Sequence, residues 1–247
     1  MSFTVRADQA APSLIRLTLI SEDGRNELDL QSANAITAAF AAAECGGEIT
    51  AVTIESSGQV FCSGLALSAL EGDQWLADAQ AVQSALLKVA TSPLVTISVV
   101  DGAAVGGGVA LAASCDQVIV SPRATFCLTE LLIGLIPAIA LPIVARRVGQ
   151  QPAFRMALLT TEVTAREALA MGLADSLWDD PARGVSHVLR RLRAADDGAI
   201  RALKRYFRTL TGSELAPEQA LWFLEERVSE DGVARRLAAL RAAGLAL

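Results

Sequence analysis

One carboxylate stands apart in this chain. Glu130 is the only Asp, Glu, Lys, Arg or His between Arg123 and Arg146, and it is followed by Leu131, Leu132, Ile133, Leu135, Ile136 and Pro137. A carboxyl enclosed by such side chains loses hydration, which raises its pKa and suits proton transfer near neutrality. The residues alone leave a second reading open, a helix-start carboxylate that faces water and is favoured by the helix dipole. Two glycine-bearing segments precede it. The stretch Asp101-Gly102-Ala103-Ala104-Val105-Gly106-Gly107-Gly108-Val109-Ala110 sets three glycines before an Ala-rich run. That pattern fits an anion-binding loop opening onto a helix N-terminus, and equally fits close helix packing. No Lys-Ser/Thr follows the glycines, and Leu111 occupies the last glycine position of a dinucleotide fingerprint, so triphosphate and nicotinamide sites lose their support. In Phe61-Cys62-Ser63-Gly64-Leu65-Ala66-Leu67, a small residue and Gly64 allow a backbone N–H to point outwards at a turn. An ordinary strand-to-helix turn would use the same residues.

Composition narrows what else the site can be. The 247 residues contain one histidine, His187, so a Ser-His-Asp or Cys-His site would depend on it. The four cysteines, Cys45, Cys62, Cys115 and Cys127, form no CxxC pair and no Cys/His cluster, and no metal site is expected. Cys62 and Cys115 read as small buried residues, with no base near them in sequence. Aromatics are 4% and the net charge is −6, which disfavours a nucleic-acid groove with stacking rings. The apolar stretch Leu131 to Ala145 is shorter than the ~20 residues of a membrane helix and carries Pro137 and Pro142. The start, MSFTVRADQAAP, has no basic segment followed by an apolar one. With cysteines that form no framework, a cytoplasmic protein without a membrane segment is expected.

The elements that must position these residues follow from periodicity. Leu14 to Ile20, Ala51 to Glu55, Leu94 to Val99 and Gln117 to Val120 read as β-strands. Leu30 to Glu44 and Trp75 to Ala90 read as helices; in the second, Leu76, Ala79, Val82, Leu86 and Val89 recur every three or four residues. Beyond Pro122 the chain reads almost entirely helical, with breaks at Gly149, Gly172, Gly198 and Gly212. His187 and the groups Arg190, Arg191, Arg193 and Lys204, Arg205, Arg208 read as solvated helix faces that could still meet an acidic carrier or a phosphate. Trp75, Trp178 and Trp222 read as core or interface anchors.

The FCSG turn, the GGG about 40 residues later and the TELLIGLIP segment together resemble the crotonase (enoyl-CoA hydratase/isomerase) superfamily, over nearly the whole chain from Asn26-Glu27-Leu28 onward. The resemblance implies an α/β crotonase (ClpP-like) fold. Its ββα spiral core would occupy residues 1–195, and a helical trimerisation region residues 196–247. It implies a homotrimer or dimer of trimers, no cofactor, and a thioester on a phosphopantetheine arm of CoA or an acyl carrier protein. By position, the backbone N–H groups of Leu65 and Gly107 would grip the thioester oxygen and stabilise an enolate. Ala66, Ala110 and Ala138 would line the substrate pocket. Lys204 and Arg25 would be placed to reach pantetheine or nucleotide phosphates, although a solvated surface charge is the alternative for both.

Departures from the family pattern are informative. Of the two glutamates usual in its hydratases, the first position holds Ala110 and the second is Glu130; the acid that usually follows the first oxyanion residue is replaced by Ala66. One carboxyl group is enough for a dehydratase that takes an α-proton and returns it to the departing hydroxyl. Thr91 to Gly102, Ala124 to Gly149 and Leu159 to Asp175 resemble the dehydratases of polyketide β-branching cassettes, which also lack the first glutamate. The reaction this implies converts a 3-hydroxy-3-methylglutaryl thioester, carried by an acyl carrier protein, to a 3-methylglutaconyl thioester. An enoyl-CoA isomerase or hydratase and a non-catalytic crotonase-like scaffold subunit stand as alternatives.

Overall fold

The computed structural model describes residues 3–66 and 75–210, with isolated helical positions at 221, 222, 225, 235, 238, 239 and 242. The first two-thirds repeats one unit. Strands β1 (Thr4–Ala11), β2 (Leu14–Ile20) and β3 (Glu27–Leu28) lead to helix α1 (Leu30–Cys45). Strands β4 (Ala51–Ser56), β5 (Val60–Cys62) and β6 (Gly64–Leu65) precede α2 (Trp75–Thr91). Strands β7 (Val95–Val100) and β8 (Ala103–Val105) precede α3 (Gly107–Ser114), and β9 (Gln117–Val120) and β10 (Thr125–Cys127) follow. A short 3-10 helix, Glu130–Ile133, then leads to α4 (Ala140–Val148), α5 (Gln150–Leu159), β11 (Val163–Thr164), α6 (Ala165–Met171), β12 (Ser176–Leu177), α7 (Pro181–Leu192) and α8 (Asp197–Leu210).

The strand order makes this repetition a spiral. The large sheet runs β1-β2-β4-β7-β9-β12, parallel except for the β1–β2 hairpin. The small sheet runs β11-β10-β8-β5, and β3 pairs with β6. Successive turns therefore deposit a long strand in one sheet and a short strand in the other before returning through a helix. This is the ββα spiral implied by the resemblance. The β-branched runs form the parallel centre: all six residues of β7 are buried, as expected for a strand covered on both faces. Its polar members are bonded inside, with Ser98 donating to the Ala112 carbonyl at 3.1 Å and Thr96 to Asp116 at 3.1 Å. The spacing seen in α2 turns Ala79, Val82, Leu86 and Val89 inward. Burial of each larger aliphatic side chain contributes about 1.5–3 kcal/mol.

Two expectations are corrected here. The region after Pro122 is not continuously helical. Thr125–Cys127 continues the small sheet by parallel pairing with Ala103–Val105, and β11 and β12 close the two sheets. Gly149 and Gly172 do break helices, but Gly198 lies within α8. Gly212, Leu67 and most of residues 211–247 lie outside the described residues.

Candidate active site

The site is assembled where the short strands meet α3. Buried Asn26 donates from Nδ2 to the carbonyls of Val60, at 2.9 Å, and Phe61, at 3.3 Å, which fixes the chain leading into β6. Ser63 N–H donates to the Arg25 carbonyl at 3.0 Å and Ala66 N–H to the Leu28 carbonyl at 2.9 Å. Gly64 has φ +89°, and a Cβ there would lie 2.8 Å from the Val105 oxygen and 2.9 Å from the Gly107 nitrogen. Only glycine lets β6 approach the start of α3 so closely. A Cβ on Gly107 would in turn stand 3.5 Å from the Leu65 nitrogen, so the Leu65 and Gly107 amides are neighbours. Gly107 is the first residue of α3, where an N–H has no intrahelical acceptor and the helix dipole is positive.

Glu130 approaches the same backbone from the other side. It begins the 3-10 helix, whose end is set by left-handed Gly134 donating to the carbonyls of Glu130 and Leu131. This tight turn directs the carboxylate inward. Glu130 Oε1 lies 3.1 Å from the position of a Cβ on Gly106, which has φ +52° and ψ −117°, while Oε2 is buried without a hydrogen-bond partner. Loss of hydration pushes the carboxyl up to about 7, against a smaller downward pull from the backbone amides of Glu130 and Thr129. Half-buried, with one carboxylate oxygen out of water, Glu130 fits the enclosed reading better than the water-facing one.

Leu65, Gly107 and Glu130 share a cavity of about 90 Å³ with Val82, Ile133, Leu135, Ile136 and Pro137. Its volume is roughly that of three liquid waters at ~30 Å³ each, room for the head of an acyl group. Ala138 and Arg25 also line it. Ala66 and Ala110 are not among the described residues that line it: both are buried, Ala110 fully so within α3. Lys204 is not brought to this cavity; its ammonium group donates to Asp116 and to the Leu94 carbonyl, beside a second cleft. Cys62 and Cys115 are fully buried, and burial pushes both thiols up to about 12, as suits inert core residues.

Sequence reasoning missed Glu27, Ser63 and Thr129 as lining residues. Glu27 pairs with Arg25 at 3.0 Å on the cavity rim, so Glu130 is the lining carboxylate held in no ion pair among the described residues. The available signal was the placement of Arg25 and Glu27 around buried Asn26.

Residues 9–221 match the enoyl-CoA hydratase/isomerase family, and the chain belongs to that family. A Bacillus subtilis protein named bacillaene synthase dehydratase PksH is 32% identical over 167 residues, covering 66% of this chain and 64% of that protein. The match thus spans slightly less than two-thirds of that relative's length. The probable enoyl-CoA hydratase EchA14 of Mycobacterium tuberculosis is 31% identical over 235 residues, or 90% of this chain and 92% of that protein. The crystal structure of Bacillus subtilis PksH superposes with a TM-score of 0.82 at 25% identity, covering 99% of this chain and 97% of that one. The spiral described above is the crotonase fold.

Proposed function

We propose that the protein is a hydro-lyase that dehydrates a 3-hydroxy-3-methylglutaryl thioester, carried by an acyl carrier protein, to the 3-methylglutaconyl thioester in polyketide β-branching. The observation that carries this reading is the unpaired, partly dehydrated Glu130 carboxylate sharing one cavity with the adjacent Leu65 and Gly107 backbone, with Ala110 where a second acid would stand. The similarity to a protein named as a bacillaene synthase dehydratase supports a dehydratase of this family, and the choice of substrate rests on the resemblance of Thr91 to Gly102, Ala124 to Gly149 and Leu159 to Asp175 to the β-branching dehydratases.

The thioester oxygen sits between the Leu65 and Gly107 N–H groups. Ionised Glu130 takes the proton from the carbon beside the thioester, and the C–H electron pair moves into the enolate. The two amides stabilise the charge on oxygen as it forms. Protonated Glu130 then gives its proton to the β-hydroxyl on the same face; the C–O bond breaks, water leaves and the α,β double bond forms. Glu130 begins and ends ionised, so one group acts as base and then acid. The cavity's apolar wall keeps bulk water from exchanging that proton. The subunit works in a homotrimer or dimer of trimers, requires no cofactor, and acts in the cytoplasm.

A lone base also suits an isomerase, which takes a proton and returns it along the acyl chain. Mass spectrometry of carrier-bound 3-hydroxy-3-methylglutaryl chains separates the two readings. Loss of one water is expected, with slower conversion of the CoA thioester. Turnover of a 3-enoyl-CoA without any water loss from the carrier-bound chain would replace this reading by the isomerase.

A further inference from the structure

The second cleft, of about 750 Å³, lies between α4, α7 and α8, away from Glu130. Its volume is within the ~300–1,000 Å³ typical of small-molecule sites. Among the described residues five cations line it, Arg146, Arg147, Arg191, Lys204 and Arg208, with two carboxylates, Asp116 and Asp175. Both carboxylates are already engaged: Arg147 binds Asp175 at 2.9 Å, and Lys204 binds Asp116. The side chains of Arg146 and Arg191 form no hydrogen bond or ion pair among the described residues. Arg146 is half-buried, so its charge is poorly hydrated; Arg147 beside it adds repulsion, and Asp116 offsets part of this without bonding to it. The remaining wall is apolar, with Leu192, Ile200, Leu203 and Phe207 facing the cleft.

Two guanidinium forks that no described carboxylate bonds, beside an apolar wall, match an organic anion rather than a bare ion. The planar fork donates in pairs to phosphoryl oxygens, which makes arginine the favoured partner of phosphate esters. We propose that this cleft binds a phosphorylated small molecule of nucleotide size, with its phosphoryl oxygens on Arg146 and Arg191 and its apolar part against Leu203 and Phe207.

The test is calorimetric titration of the full chain with adenosine diphosphate at low and at 0.5 M salt. Binding is expected, weaker at high salt, and at least tenfold tighter than that of inorganic phosphate. The Arg146→Gln/Arg191→Gln double variant should lose at least tenfold in affinity. It should leave turnover of a short pantetheine thioester, which carries no phosphate, unchanged. If that variant fails to fold, Arg191→Gln alone, at an exposed position, should still weaken binding at least threefold. Absence of binding, unchanged affinity in the variants, or equal affinity for inorganic phosphate would each overturn the proposal.

Discussion

Glu130 Oε1 stands 3.1 Å from the point where a side chain on Gly106 would begin. The same glycine caps α3, donates its N–H to the Cys127 carbonyl at 2.8 Å, and precedes the Gly107 amide. The carboxylate proposed as acid/base therefore lies against the glycine that precedes one proposed oxyanion donor.

Replacing Gly106 by Ala puts a methyl group against the carboxylate at a φ of +52° and ψ of −117° that L-residues rarely adopt. A destabilisation of about 1–3 kcal/mol is expected from the backbone conformation alone. Displacement of Glu130 should cost kcat more than KM. Thermal unfolding and steady-state kinetics of Gly106→Ala check this; a variant with normal kcat would show that the Gly106–Glu130 approach is not needed.

The pH dependence of kcat/KM should show one rising limb centred near 7, where Glu130 ionises. Because a single carboxyl begins and ends ionised, hydration of the unsaturated product should show the same limb as dehydration. A rate that falls as pH rises through 7 in either direction would mean that Glu130 must start protonated, and a second acid would then be required.

The same burial has a stability consequence. The carboxyl titrates at about 7 when folded against 4.5 when exposed. The folded chain therefore holds this proton more tightly than the unfolded chain does. Its contribution to stability is complete below pH 4.5 and is lost as pH rises from there through about 7. The difference corresponds to about 3 kcal/mol. Glu130→Gln removes the ionisation, so its stability should exceed that of the wild type by a growing margin between pH 5 and 8. Denaturant titrations at those two pH values check the sign; a margin that shrinks with pH would contradict a dehydrated Glu130.

Alkylation provides an independent check on the roles of the thiols. Cys45 is exposed, whereas Cys62 and Cys115 are enclosed and held protonated, with values of about 12. Iodoacetamide at pH 8 should modify Cys45 and leave Cys62 and Cys115 untouched in native protein, as read by peptide mass spectrometry. Modification of Cys62 accompanied by loss of turnover would reopen a nucleophilic role.

The long buried strands were legible because their β-branched runs carry the signal within a single segment: Leu14–Ile20 and Gln117–Val120 match their strands end to end. Strands β3, β5, β6, β8 and β10 have only two or three residues each. That length shows no alternation, and pairing with distant neighbours stabilises them instead. For this reason Thr125–Cys127, which pairs with Ala103–Val105, was hidden in a stretch that reads as helix. Glu130 was conspicuous because its surroundings are apolar, but its inward direction depends on the 3-10 turn and on Gly134. The closeness of the Leu65 and Gly107 amides was carried by the family resemblance, since the two residues lie 42 positions apart in sequence. The same resemblance implies Ala66 and Ala110 as pocket residues, and both are buried outside the described lining.

The central claim is that one carboxylate performs both proton transfers. Single-turnover water loss from a carrier-bound 3-hydroxy-3-methylglutaryl chain, compared between wild type and Glu130→Gln, tests it most directly. The amide keeps the size of the side chain and removes the base, so the rate should fall by ~10²–10⁴-fold while carrier binding persists. A Glu130→Gln variant that loses water within tenfold of the wild-type rate would contradict the account.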